Sequence, residues 1–270
     1  MQLIWPIALI TFKEGIRNRS IYGISLLALL MLVANFLISD MVSQEVGKVA
    51  VDVALSAVSF SGLLLVLFVG INLMAKDLDR KTIYMVLAKP VSRAQYLIGK
   101  FLGLTLLIIA CLTILGSFTV VSLLLIKLGH ANYFQRFSWP LVCLSLSFIA
   151  LMLILISALS FLFASFTSTS FVTLILTIIS YLIGMSLSDV KALVEAPQAV
   201  GVTVSPVTAK IVQAAYYIFP NLSIFDIKTQ AAHGLSVPVS YIMGVVAYDI
   251  LYTTIVLTLA CLVFKKKEFP

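Results

Sequence analysis

Two sets of polar residues in this chain carry chemistry that its apolar surroundings cannot ignore. The first is Asp249, the one ionisable side chain well inside a long apolar run. Counted from Val239, it lies ~15 Å along a helix, half the depth of a ~30 Å hydrocarbon layer. A carboxylate at that depth is costly unless it faces a partner or water. It is therefore either a substrate, ion or interface contact on a central path, or a structural hydrogen-bond partner of Tyr248, Tyr252 or a Ser/Thr of a neighbouring helix. Asn72, late in another apolar run, is a milder case, for which interhelical hydrogen bonding is the expected role. The second set is the charged stretch 76–96, with Lys76, Asp77, Asp79, Arg80, Lys81, Lys89 and Arg93 around the short, mostly apolar Thr82–Leu87. Pro90 stops any helix near Lys89, and Ser92 can cap a new one. A short helix with charged ends can fill a groove on a soluble partner and push on two membrane spans together. The alternative is an ordinary positively charged connecting loop.

Other chemistry is missing its residue types. Cys111, Cys143 and Cys261 lie in apolar runs, an odd number with no metal-ligand spacing. His130 and His233 stand in separate loops. The closest approach to a phosphate loop is Ala94–Phe101, which has Ala94 in place of the first glycine and Phe101 in place of the metal-binding hydroxyl. No nucleophile elbow or zincin pattern is found. The chain is expected to be no enzyme and to hold no cofactor or metal.

Composition explains the poverty of sites. Of 270 residues, 61% are apolar and 11% charged, and the mean hydropathy is +1.14. A soluble domain is about half apolar and a quarter charged, so most of this chain must lie in membrane spans. Six runs approach the roughly 20 residues a spanning helix needs: 21–39, 54–75, 97–126, 139–166, 171–187 and 239–264. The fifth is the shortest, and Thr167-Ser168-Thr169-Ser170 reads as a tight turn between antiparallel helices. The first run is long, and Ser39-Asp40-Met41 is no small-x-small cleavage site, so span 1 is expected to stay in the mature protein. The fold class expected is an all-α polytopic membrane protein, a single transmembrane domain over 1–270.

The net charge of +7 follows the same plan. With the N-terminus in the cytoplasm, the inner segments hold Lys13, Arg17, Arg19, Lys76, Arg80, Lys81, Lys89, Arg93, Lys100, Lys265, Lys266 and Lys267. The outer ones hold Lys48, Lys127, Arg136, Lys191, Lys210 and Lys228. Twelve against six puts both termini inside. The cations therefore report topology and not a nucleic-acid partner. Within 1–20, Trp5, Leu9, Phe12 and Ile16 share one helical face, which predicts an amphipathic helix lying along the interface. The largest outer segment is 188–238. Ser205-Pro206 predicts a helix start, Pro220 its end, and Leu222–Ile227 a second apolar piece packed on the spans or dipping among lipids. Gly99 and Gly103 form a small-residue face at the start of span 3, expected to serve close helix packing.

The stretch 76–101 resembles the cytoplasmic signature of type-2 ABC exporter permeases (the ABC-2 family), in particular the NosY-like, multicopper-enzyme-maturation branch. The matching positions are Asp77, Asp79, Arg80 and Thr82, then Lys89-Pro90-Val91-Ser92-Arg93, then Gly99-Lys100-Phe101. Lys81 departs from the glycine that the family often has before the threonine. Tyr217–Leu222 with Phe225-Asp226 is similar to the family's Leu-Pro-Asn segment, and Phe264–Phe269 to its basic end. The resemblance implies six spans and a cytoplasmic coupling helix, with Asp77, Asp79, Arg80, Thr82, Lys89, Pro90 and Arg93 contacting a separate ABC ATPase subunit. That subunit would bind the ATP and Mg. It also implies a second permease copy in a homodimer or heterodimer, a place in the bacterial inner membrane, and export of a substrate or work on a periplasmic partner docked at 188–238. An ATP-independent channel or carrier built on Asp249 is the competing expectation.

Overall fold

The computed structural model describes residues 4–41, 45–74, 92–129, 134, 137–167, 169–195 and 205–266. The expected coupling helix, with Asp77, Asp79, Arg80, Thr82, Lys89 and Pro90, lies outside the described residues. Everything regular among the described residues is helical. A short helix α1 (Ile4–Ile16) precedes α2 (Arg19–Met41). Then come α3 (Val46–Met74), α4 (Arg93–Gly129), α5 (Trp139–Phe166) and α6 (Ser170–Glu195). The pieces α7 (Pro206–Ile218) and α8 (Lys228–His233), with a 3₁₀ turn at Ser223–Phe225 between them, lead into α9 (Val239–Lys266). Six of these, α2 to α6 and α9, are long and apolar enough to cross a membrane. They alternate in direction from α2 to α6. The start of α1, the last described turn of α3, the start of α4 and the last turn of α9 therefore share one end of the bundle, here the proximal end.

α3 is the central helix. It packs on α2, α4, α5 and α8, and 78% of its most apolar window is buried, against 22% for α2. The buried Asn35 of α2 donates its Nδ2 to the Ala50 carbonyl of α3 at 3.0 Å, a polar tie inside that contact. Its last third contains a widened π turn at Leu65–Gly70. The outer faces of α2, α4, α6 and α9 carry exposed Leu, Ile, Val and Phe, as lipid-facing surfaces must when no water is present to be avoided.

Three boundaries differ from the hydropathy reading. α3 starts at Val46, eight residues before the expected 54, because the backbone ladder runs on through Lys48 and Asp52. Lys48 is paired with Glu45 at the helix start. The Lys48 ammonium, hydrogen-bonded to that carboxylate, holds the Glu45 carboxyl below its ordinary value. Glu45 itself takes a left-handed backbone (φ 65°) to turn the chain. The fifth span, read as the shortest, continues to Glu195, since its polar end is held by side-chain partners in the segment that follows. α4 opens at Arg93, so 93–96 of the expected loop form the first turn of span 3.

α1 lies against α4 and not in isolation. Ala8, Thr11 and Gly15 form its buried face, while Trp5, Leu9, Ile10 and Ile16 are exposed. Of the predicted apolar face, Trp5, Leu9 and Ile16 are exposed, while Phe12 is half-buried against the core. The close approach rests on Gly99 and Gly103. A Cβ on Gly99 would stand 2.8 Å from the Ile7 side chain, and one on Gly103 would stand 2.6 Å from the Ala8 carbonyl oxygen. Asn18 then breaks the helix, and its Oδ1 accepts from the Ser20 N–H at 3.0 Å to cap α2.

A pair of glycine substitutions tests this packing. Gly23→Ala meets nothing within 4 Å and should stabilise the chain by up to ~1 kcal/mol through helix propensity. Gly103→Ala meets backbone and should instead cost about 1–3 kcal/mol. Thermal unfolding in detergent reads both, and equal shifts for the two would refute the docked position of α1.

Candidate functional site

The start of α4 is built by a reciprocal cap. The Ser92 N–H donates to Gln95 Oε1 at 3.0 Å, and the Gln95 N–H donates to Ser92 Oγ at 3.2 Å. This is the Ser-x-x-Gln form of the capping box. It fixes the direction in which the next two turns project their side chains. Arg93, Tyr96, Leu97 and Lys100, at helical spacing, then fall on one face.

Two cations of that face reach the ends of two other helices. The Arg93 guanidinium donates to the Lys265 carbonyl at 3.1 Å and to the Phe264 carbonyl at 3.4 Å. The Lys100 ammonium donates to the Leu73 carbonyl at 3.0 Å. The Phe264 and Lys265 carbonyls belong to the last turn of α9, where main-chain acceptors lack intrahelical donors and the helix dipole favours positive charge; the Leu73 carbonyl belongs to the last described turn of α3. Lys100 also lies 3.4 Å from Glu14 Oε2 of α1 and 5.9 Å from the centre of the Tyr96 ring. Tyr96 in turn stacks on Phe264 with centroids 6.3 Å apart. Lys100 is buried. The first two turns of α4 thus bind α1, α3 and α9 into one frame.

Arg93 is the one expected coupling residue within the described part, and it is placed in this frame. Lys100 was read only as an inner cation and as part of the Gly-Lys-Phe entry to the span; its role as an anchor went unread. The seven-residue interval between Arg93 and Lys100, two cations on one face of an otherwise apolar helix, is the signal that could have singled it out.

The membrane candidates sit apart. Asn72 is exposed, and its Nδ2 donates to the Phe68 carbonyl of its own helix. The expected bond to another helix is not made among the described residues, because the amide folds back four residues to a nearer acceptor. Asp249 is buried on the inner face of α9 with Val245, Thr253 and Val256. Neither its Oδ1 nor Thr253 Oγ1 has a hydrogen-bond partner among the described residues. The two tyrosines offered as partners are engaged elsewhere. Tyr248 accepts from the Asn221 N–H at 2.9 Å, and Tyr252 donates to the Ile218 carbonyl at 2.8 Å.

Those tyrosines define a second junction at the distal end. Tyr241 also donates to the Ile224 carbonyl at 2.7 Å. Opposite them, the Leu222 N–H donates to the Gly184 carbonyl of α6 at 3.0 Å, and Ser188 bonds Asn221 and Ser223. The segment 218–224 is therefore clamped by its main chain between α6 and α9. Leu222, Phe225, Ile227 and Ala231 are buried beneath it, the packing on the spans that their apolarity predicts. α7 begins at the predicted Ser205-Pro206 cap but leaves Val207, Ile211, Tyr217 and Ile218 exposed.

Six apolar helices of spanning length define a multi-pass membrane protein. The sequence model of the ABC-2 family transporter proteins matches residues 5–269, and the chain belongs to that family. It is 29% identical over 160 residues to the probable ABC transporter permease protein NosY of Pseudomonas aeruginosa. That alignment takes in 56% of this chain and 58% of the relative's length. The resemblance read from 76–101 is thus a family relationship, and the chain is an ABC transporter membrane subunit.

Removing either partner at the proximal frame should cost unequally. Lys100→Met leaves the Leu73 carbonyl without its donor and should destabilise the protein by about 1.5–3 kcal/mol. Glu14→Gln should cost under about 1 kcal/mol, since that side chain is 41% exposed and the pair is solvent-screened. The order of the two unfolding temperatures checks it. At the distal end, a Cβ on Gly184 would stand 2.7 Å from the Pro220 carbonyl oxygen. Gly184→Val should release the 218–224 segment, read as new protease cleavage there with the rest of the chain intact.

Proposed function

We propose that this chain is the permease subunit of an ATP-driven ABC exporter, coupled through residues 76–96 to a separate ATP-binding cassette ATPase. The observation that carries this reading is the proximal frame. Arg93 and Lys100 hold the ends of α3 and α9, and α1, as one unit with the start of α4. A load on the connecting chain reaches four helices together. Asp77, Asp79, Arg80, Thr82, Lys89 and Pro90 supply the contacts to the ATPase, and Arg93 is the hinge that passes the load to α9. ATP and Mg belong to the ATPase. Two permease copies, identical or not, rock against each other as two ATPase subunits close. The proximal end faces the cytoplasm of a bacterium and the chain lies in the inner membrane. The distal clamp at 218–224 then delivers the motion to a translocated substrate or to a periplasmic partner.

A second reading draws on Asp249. A buried carboxylate with an oxygen lacking a partner suits an ATP-independent channel or carrier that takes a cation or proton there. The family membership favours the first reading.

The test is a pull-down of the tagged chain from mildly solubilised native membranes, with ATPase activity assayed on the eluate. Co-purifying activity is expected from the intact chain, with a drop of tenfold or more for Asp77→Ala, Asp79→Ala and Arg93→Ala combined. An intact chain that brings down no ATPase would sink the proposal, and retention of transport by Asp249→Asn would sink the second reading.

A further inference from the structure

The outer side of the α1–α2 elbow holds a groove that nothing in the coupling frame uses. It has a volume of about 200 Å³ and lies between α2 and α4, with Ile16, Ile21, Ser25, Leu107, Cys111 and Phe118 among its lining residues. Apolar cavities of ~150 Å³ already admit a benzene-sized solute, so this one is roomy enough for a stretch of hydrocarbon. Its lining runs from Ile21 to Leu29 along α2 and from Leu107 to Phe118 along α4. That is an elongated path of roughly 12–17 Å parallel to the helices, the shape of a chain and not of a compact ring. Its rim, at Ile16, Ile114 and Phe118, is exposed on the lipid side of the bundle.

The proximal mouth of the groove is charged on one sign only. Ile16 lines it, Arg17 follows, and Arg19 opens α2 two residues before the lining Ile21. Lys13 lies one turn back on α1. All three cations are exposed, and none has an ion pair among the described residues. The nearby acid, Glu14, is paired with Lys100 at 3.4 Å. The start of α2 adds the positive end of a 23-residue helix beside Arg19. An apolar slot along the hydrocarbon with unpaired cations and a helix start at its mouth fits one occupant: a phospholipid with an anionic headgroup.

We infer that this groove is a binding site for an anionic phospholipid. One acyl chain lies between α2 and α4, and the phosphate sits at Arg17 and Arg19. The lipid is a fixed part of the structure that sets the angle between α1 and α2, and it is independent of whatever the protein moves.

The full chain with Cys143→Ser and Cys261→Ser, delipidated in detergent, provides the test. Phosphatidylglycerol or phosphatidylcholine with identical acyl chains is added back. Native mass spectrometry counts retained lipids, and maleimide labelling reports Cys111. One phosphatidylglycerol should survive activation that strips all phosphatidylcholine, and it should slow Cys111 labelling. Arg17→Gln and Arg19→Gln should each lower its occupancy by about fivefold, the worth of one cation at a membrane surface. Both side chains are exposed, so the variants should keep the parent's circular dichroism. Equal retention of the two lipids would overturn the inference, as would indifference to the arginine variants. Protection of Cys111 that follows protein concentration with no lipid present would overturn it too, in favour of a second copy of the chain covering the groove.

Discussion

The geometry of the proximal end depends on two cations of one helix bonded to the main chain of two others. Arg93 supplies a donor to carbonyls in the last turn of α9, which a helix cannot satisfy for itself, and the buried Lys100 donates to the Leu73 carbonyl of α3. In water such carbonyls find solvent. Near a membrane surface, with apolar neighbours such as Tyr96 and Phe264 packed beside them, the penalty for leaving them bare is higher. The cap is therefore a geometric constraint as well as a contact. It sets the height of Leu73 in α3 and of Lys265 in α9 relative to α4. The capping box of Ser92 and Gln95 fixes where α4 begins, so the positions of both cations follow from one local turn.

At the opposite end the constraint reappears in neutral form. Three tyrosine hydroxyls of α9 and the Gly184 carbonyl of α6 hold a non-helical segment by its main chain. Pro220 prevents that segment from continuing α7, which leaves carbonyls and N–H groups in need of partners among apolar helices. The tyrosines carry their hydroxyls on apolar rings and can meet this need without a charge. α9 is thus latched at both ends across about 40 Å of helix.

The architecture was legible in the sequence because hydrocarbon permits few alternatives. Apolar runs marked all six spans, Ser205-Pro206 marked α7, Ser92 marked the start of α4, and Gly99 and Gly103 marked the close approach of α1. Span ends were less legible. Lys48 and Ser188 lower hydropathy without interrupting a helix, since Lys48 pairs with Glu45 in the adjoining turn and Ser188 bonds Asn221 and Ser223. The site was read through its charges, which is why 76–93 stood out. The anchoring part escaped, because Lys100 acts through carbonyls, and a main-chain acceptor has no signature in sequence. Asn72 misled for a related reason: a side-chain amide on a helix always has its own i−4 carbonyl within reach.

Asp249 gains a meaning from this arrangement that depth alone does not give it. It shares a face of α9 with Val245, Thr253, Val256, Ala260 and Phe264, all buried. Ile250, Leu251, Ile255 and Leu259 on the other faces are exposed. Each residue of a helix is displaced 100° from the next, so rolling α9 by a single step would carry the carboxylate toward lipid at a cost of several kcal/mol. Rotation is thereby restricted without any direct bond to Asp249. Arg93 fixes the height of α9, the tyrosines fix its far end, and the buried carboxylate fixes its azimuth. A helix so determined can tilt or translate with its neighbours but cannot spin. Under the proposed coupling, a motion imposed at the proximal frame would arrive at the 218–224 segment as displacement, not rotation.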